Sequence, residues 1–191
     1  CRGIAFAGSN TYFLFNADKG SIDEYRFNGE HEPGEEDHSD GEIFRYGSNV
    51  VTGVDGVPSH VIYDPSSMLL YIADTGTGRI LGLDTMSGTE GSSFGGDEPA
   101  TRTRIDDAVF SEVVLPGTLA APSGLELHEG VLYASDNNQS RFYAFDLQGQ
   151  LLRTLDTGLP AGSLAGFAVG PDGRIYFVDM LTSRVLRIDP K

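Results

Sequence analysis

The chain has 191 residues, 39% of them hydrophobic, enough to bury a core in one large domain or two small ones. Thirteen basic against 28 acidic residues leave a formal charge of -15, which repels phosphate backbones and excludes nucleic acid as an expected partner. The single cysteine, Cys1, excludes an internal disulfide and any CxxC metal or haem motif, and no run approaches the roughly 18 apolar residues of a transmembrane segment.

In chain order, GIAFAG (3–8) predicts a strand, and YFLFNADKGSIDEY (12–25) predicts two more around a polar turn. The stretch EHEPGEEDHSD (30–40) carries six acids and two histidines and predicts a solvated loop; EIFRYG (42–47) predicts a fourth strand. The same order then returns as PSHVIYD (58–64), LYIADTGTGRILGLD (70–84) and AVFSEVVL (108–115). Between the last two lies a stretch rich in Gly, Ser and Thr (85–107), expected as a long loop projecting beside the acidic one and suited to docking another domain or protein. A third round runs PSGLELH (122–128), VLYASDNNQSRFYAFD (131–146) and LLRTLDTG (151–158), and a fourth runs LAGFAVGPDG (164–173) and RIYFVDMLTSRVLRID (174–189).

Each round places a polar anchor, Asn16, Asp74, Asp136 or Asp179, six residues before an apolar one, Ile22, Ile80, Phe142 or Val185. The anchors recur at intervals of 58, 62 and 43 residues, and three rounds put an arginine just before the apolar residue: Arg79, Arg141 and Arg184. Repeats of this length, each made of about four antiparallel strands, predict an all-β fold, a β-propeller with blades at about 1–47, 58–115, 122–158 and 164–191 in a single domain. The anchors are expected to accept hydrogen bonds from their own turn amides.

The P-S-G, L-Y and D-x-x-x-x-R-(I/F/V) pattern at 122–146, with its versions at 58–84 and 164–189, resembles NHL-repeat propellers and, beyond them, the six-bladed lyase, lactonase and strictosidine-synthase-like families. The resemblance implies a ring of about six blades, of which about four are visible, so the chain reads as part of a propeller; a closed four-bladed ring is the alternative. It also implies a ligand site at the mouth of the central channel, where relatives hold Ca or Zn through His, Asp, Glu or Asn from several blades.

His60 stands where the third round has Gly124, at the start of an innermost strand, and is the candidate channel ligand and metal ligand, with Ser123, Asp64 and His128 as further candidates. The three arginines either pair with neighbouring acids or form a ring of cations able to take an anionic group or a protein partner. No nucleophile elbow, dinucleotide fingerprint or phosphate loop occurs, so no catalytic residue is assigned and no motif requires a cofactor; Ca or Zn are the ions the channel would hold. The expected function is an extracytoplasmic binding or scaffolding module within a larger protein or complex, with a small-molecule ligand or a protein as partner. The alternative is a metal-dependent lyase or lactonase-type hydrolase. Lipidation of Cys1, as in a bacterial lipoprotein, is a further expectation for how such a protein would be held outside the cytoplasm.

Overall fold

A computed structural model describes residues 2–29, 38–96 and 99–189. Cys1 and residues 30–37 of the acidic stretch, on which the expectations of lipidation and of a solvated loop fall, lie outside the described residues.

Blade one consists of β1 (Ile4–Gly8), β2 (Thr11–Asn16), β3 (Ser21–Phe27) and β4 (Gly41–Tyr46). Blade two consists of β5 (Val61–Asp64), β6 (Leu69–Asp74), β7 (Arg79–Asp84) and β10 (Phe110–Val114). Blade three runs through β11 (Pro122–His128), β12 (Val131–Asp136), β13 (Arg141–Phe145) and β14 (Leu151–Asp156). Blade four has three strands among the described residues, β15 (Leu164–Val169), β16 (Ile175–Asp179) and β17 (Arg184–Ile188). The blades follow one another in chain order through their inner strands β1, β5, β11 and β15, giving a partial β-propeller with no closed sheet.

Strand alternation explains why the blades stack. In β6, Leu70 and Ile72 point one way, into a core shared with Phe13, Phe15 and Phe44 of blade one. Their neighbours Tyr71 and Ala73 point the other way, into a core with Leu125, Leu132 and Tyr143 of blade three. A blade therefore has two apolar faces, unlike a sheet with one wet side, and each face needs another blade.

The stretch 85–107 is not the projecting loop its composition suggested. It forms a hairpin of β8 (Thr89–Ser93) and β9 (Thr101–Asp106), and β9 adds in parallel to β4, from Glu42 opposite Thr101 to Tyr46 opposite Ile105. Blade two thus lends two strands to blade one, whose sheet becomes six-stranded. The pattern TRTRID alternates β-branched residues with charges, and its Ile105 packs on the blade-one core, which draws the hairpin onto the edge. At the hairpin's tip Phe94 lies 4.1 Å under the guanidinium of Arg45, itself held in a two-point grip by Asp23 at 2.7 and 2.6 Å. The cover shows in burial: four of the six β4 residues are buried, whereas all six of β14 are exposed. Phe94→Ala is expected to cost about 1 kcal/mol and to speed amide exchange in residues 101–106 while leaving 141–156 unchanged, as read by hydrogen-exchange mass spectrometry.

The polar turns grip the links between blades. Lys19 and Gly20 accept backbone bonds from Asn49 and Val50, and Gly162 donates to the carbonyl of Asn137, so the first and third turns are bonded to the segment entering the next blade. The residue after the anchor adds a side-chain stitch: Thr75 Oγ1 to the Pro122 carbonyl at 2.7 Å, and Asn137 Nδ2 to that of Leu164 at 2.7 Å.

Candidate functional site

The strand registers align the four inner strands. Ile4, Val61, Leu125 and Phe167 each pair with the residue two before an anchor, so the positions preceding them, Gly3, His60, Gly124 and Gly166, are equivalent around the channel mouth. Three blades have glycine there, and only blade two has a side chain. The backbones meet closely at this level, with Ser59 N–H donating to the Arg2 carbonyl at 3.1 Å and His60 N–H to the Ser123 carbonyl at 3.0 Å.

His60 reaches beyond its neighbour to blade four. A Cβ placed on Gly166 would lie 2.6 Å from His60 Cε1 and 2.8 Å from Nε2, so the imidazole rests against this glycine and any larger residue would push the ring aside. On its other side His60 borders a cavity of about 370 Å³ lined also by Arg2, Gly3 and Ile4. Arg2 is held by the carbonyls of Val54 and Val57 and by Asp55. The imidazole makes no side-chain hydrogen bond with the described residues, and burial pushes its pKa below the usual histidine value. It is therefore a neutral ring, with one donor and one acceptor nitrogen, at the border of the cavity.

That depressed pKa has a sign. The unfolded chain takes up His60's proton near pH 6.5 and the folded chain only at lower pH, so stability from this site is intact above about pH 6.5 and is lost as pH falls through that value. Asp64 has the same sign at lower pH: Ser67 first, with Ser66, holds its carboxyl below the usual range, so its contribution is present above about pH 4 and lost only below. His60→Gln is expected to flatten the loss of urea stability between about pH 7 and 5 and to leave the acid limb below pH 4 in place.

The other candidates lie elsewhere. Arg79 donates to Asp74 at 2.7 Å, Glu112 at 2.7 Å and the Val50 carbonyl at 3.1 Å, within the framework of blade two. Arg141 pairs with Asp156 at 2.9 Å on the outer strand, and Arg184 is exposed with no side-chain bond to the described residues. All three start third strands, and none lines the His60 cavity. Ser123 Oγ is engaged with Ser135 and the Ala165 carbonyl; Asp64 is engaged by Ser66 and Ser67; His128 ends β11. Among the described residues no group of three or more His, Cys, Asp and Glu converges as a metal site. His60 could supply one nitrogen to an ion, and the remaining ligands would have to come from outside that set.

Asp136 and Asp179 accept from their own turns, Gln139 N–H at 2.9 Å and Leu181 N–H at 3.1 Å, as expected, and the second oxygen of Asp136 also accepts Ala120 N–H at 2.6 Å from the link entering blade three. Asp74 instead accepts Thr52 N–H at 2.7 Å, from the link entering blade two, and Asn16 donates to Asp23 at 2.9 Å. The glycine at 166, which makes room for His60, escaped the sequence reading. Laying G-I, H-V, G-L and G-F beneath the four anchors would have found it.

No protein-family model matches the chain, and no curated protein sequence does. Solved structures do. Streptogramin B lyase matches at 13% identity and a TM-score of 0.63, over 98% of this chain and 54% of that one. The Nidogen/Laminin complex matches at 15% and 0.66, over 98% and 58%, and an auxiliary nutrient binding protein from Bacteroides thetaiotaomicron at 14% and 0.61, over 98% and 47%. The chain thus spans about half the length of these proteins, and at such identities the likeness is one of fold: four consecutive propeller blades.

Proposed function

We propose that this chain is an extracytoplasmic binding module whose small-molecule ligand enters the channel mouth at His60, within a larger protein or complex. The observation that carries the reading is the equivalence of Gly3, His60, Gly124 and Gly166: one blade in four places a side chain at the mouth, and a glycine opposite makes room for it. An unpartnered neutral imidazole beside a 370 Å³ cavity suits an uncharged ligand carrying hydrogen-bonding groups. The nutrient binding protein among the structural matches is in keeping with such a role. Screening a library of neutral sugars, lactones and small amides by thermal shift should give hits that His60→Ala loses and Arg141→Ala keeps; hits that survive His60→Ala would place the site elsewhere.

A second reading, a metal-dependent lyase or lactonase-type hydrolase at the same mouth, is favoured by the match to streptogramin B lyase. The two readings part on elemental analysis of the purified protein. Stoichiometric Ca or Zn that His60→Ala removes would replace the binding reading with the enzymatic one.

A further inference from the structure

We propose that the cleft where β4 and β9 separate, between the first two blades, is a second binding site, for a small zwitterion of the α-amino-acid class with an apolar side chain. The two strands run paired from Glu42 and Thr101 to Tyr46 and Ile105, and beyond that point a cavity of about 300 Å³ opens. Its walls come from the end of β4 with the link after it and from residues 104–110, so the first two blades and their shared hairpin build it. It shares no residue with the His60 cavity.

The floor is apolar. Val50, Ile105, Ala108 and Phe110 each pack on the blade-one core and stay partly exposed. Gly47, in the left-handed region at φ 67°, lets two of them close up: a Cβ there would lie 2.8 Å from Val50 Cγ2 and 3.2 Å from the Phe110 ring. A space of this volume, with an apolar floor and a few charged groups, is at the small end of ligand pockets and matches a single amino acid.

The rim carries both signs of charge, largely uncommitted. Arg45 and Arg104 stand directly opposite each other in the parallel register, where like charges oppose one another. Asp23 takes Nε and Nη2 of Arg45 and leaves Nη1 without a partner among the described residues. Half-buried Arg104 has no carboxylate in that set, only the ring of Phe94 at 5.4 Å. Asp106 stands two residues further along the same strand face, about 7 Å on by strand rise, and its carboxylate lies over Gly91 and does not pair with Arg104. Asp107, where the chain turns with φ 57°, is exposed and likewise unpaired. A carboxylate held between Arg45 Nη1 and Arg104 would put the ammonium of the same molecule towards the two aspartates and its side chain on the Val50 and Phe110 floor. A plain anion would meet the aspartates and a plain cation the arginines, so a ligand carrying both charges is the one matched.

The test is isothermal titration calorimetry of the protein with leucine and with phenylalanine, each beside two analogues: isocaproate and hydrocinnamate, which lack the ammonium, and isopentylamine and phenethylamine, which lack the carboxylate. At least one amino acid should bind, and its analogues should bind about tenfold more weakly or worse. Arg104→Gln, and separately Asp106→Asn with Asp107→Asn, should weaken the amino acid by a similar factor; Arg104→Lys should restore part of the loss, and His60→Ala should leave binding unchanged. Circular dichroism and urea midpoints check that the variants fold, and the analogue series needs no variant. No binding of either amino acid at millimolar concentration, an anion or amine that binds as tightly as its parent, binding indifferent to the Arg104 change or to the paired aspartate changes, or binding lost with His60→Ala, each overturns the proposal.

Discussion

Asp74→Ala is expected to destabilise the chain by about 3 kcal/mol, read as a fall in the urea midpoint at unchanged slope. The carboxylate is fully buried and receives Thr52 N–H on one oxygen and the Arg79 guanidinium on the other, each at 2.7 Å. Removing it strands a backbone donor in the link entering blade two and a cation whose side chain is only 22% exposed. Arg79 keeps Glu112 and the Val50 carbonyl, which places the loss at the lower end of the range for broken buried pairs. Asp74→Asn keeps an acceptor for Thr52 and should recover part of the loss. Arg79→Met in the Asp74→Ala background should recover another part by removing the uncompensated charge. Asp179→Ala, whose partners are local and at the arc's end, should cost less than Asp74→Ala; equal losses would mean that the link to blade two contributes nothing.

Gly3→Ala and Gly166→Ala should both destabilise, yet only one should be rescuable. A Cβ on Gly3 would lie 2.1 Å from the Ser59 carbonyl, a backbone atom that is itself part of the inner-strand contact, so the blades must separate. Overpacking of this kind costs about 1–3 kcal/mol or more, and no single side-chain change relieves it. The Cβ on Gly166 meets instead the ring of His60, which can swing away. Its cost should be smaller, about 1 kcal/mol, and His60→Ala in the same chain should cancel it, a coupling that a double-mutant cycle measures directly. Failure of that rescue would show that His60 does not rest on blade four.

These expectations also mark where the sequence was readable. Blade strands were legible because alternation, turn residues and the anchor-to-apolar spacing are local, and the four rounds reinforce one another. The individuality of His60 was legible for the same reason: it breaks a repeat. What was not legible depends on contacts far along the chain. Nothing local in TRTRID specifies parallel pairing with EIFRYG some sixty residues earlier, and its Gly, Ser and Thr neighbours read as loop. Asp74 was read as a turn cap because its alternative partner, Thr52, carries no motif. The arginines were legible only as a choice between framework and site; Arg79 and Arg141 sit in ion pairs with acids of their own blades.

The borrowed hairpin changes how the arc should come apart. In a row of equal units joined only to neighbours, each unit melts according to its own stability and the strength of its two junctions. Here blade one's sheet includes β8 and β9, which lie in the chain between β7 and β10 of blade two, so the first two blades are tied by a covalent crossover as well as by their packed faces. Protection against exchange in β8 and β9 should therefore follow that of β1 to β4 and not that of β5, β6, β7 and β10, so that these two strands report on the opening of the neighbouring blade and not of the blade whose chain carries them.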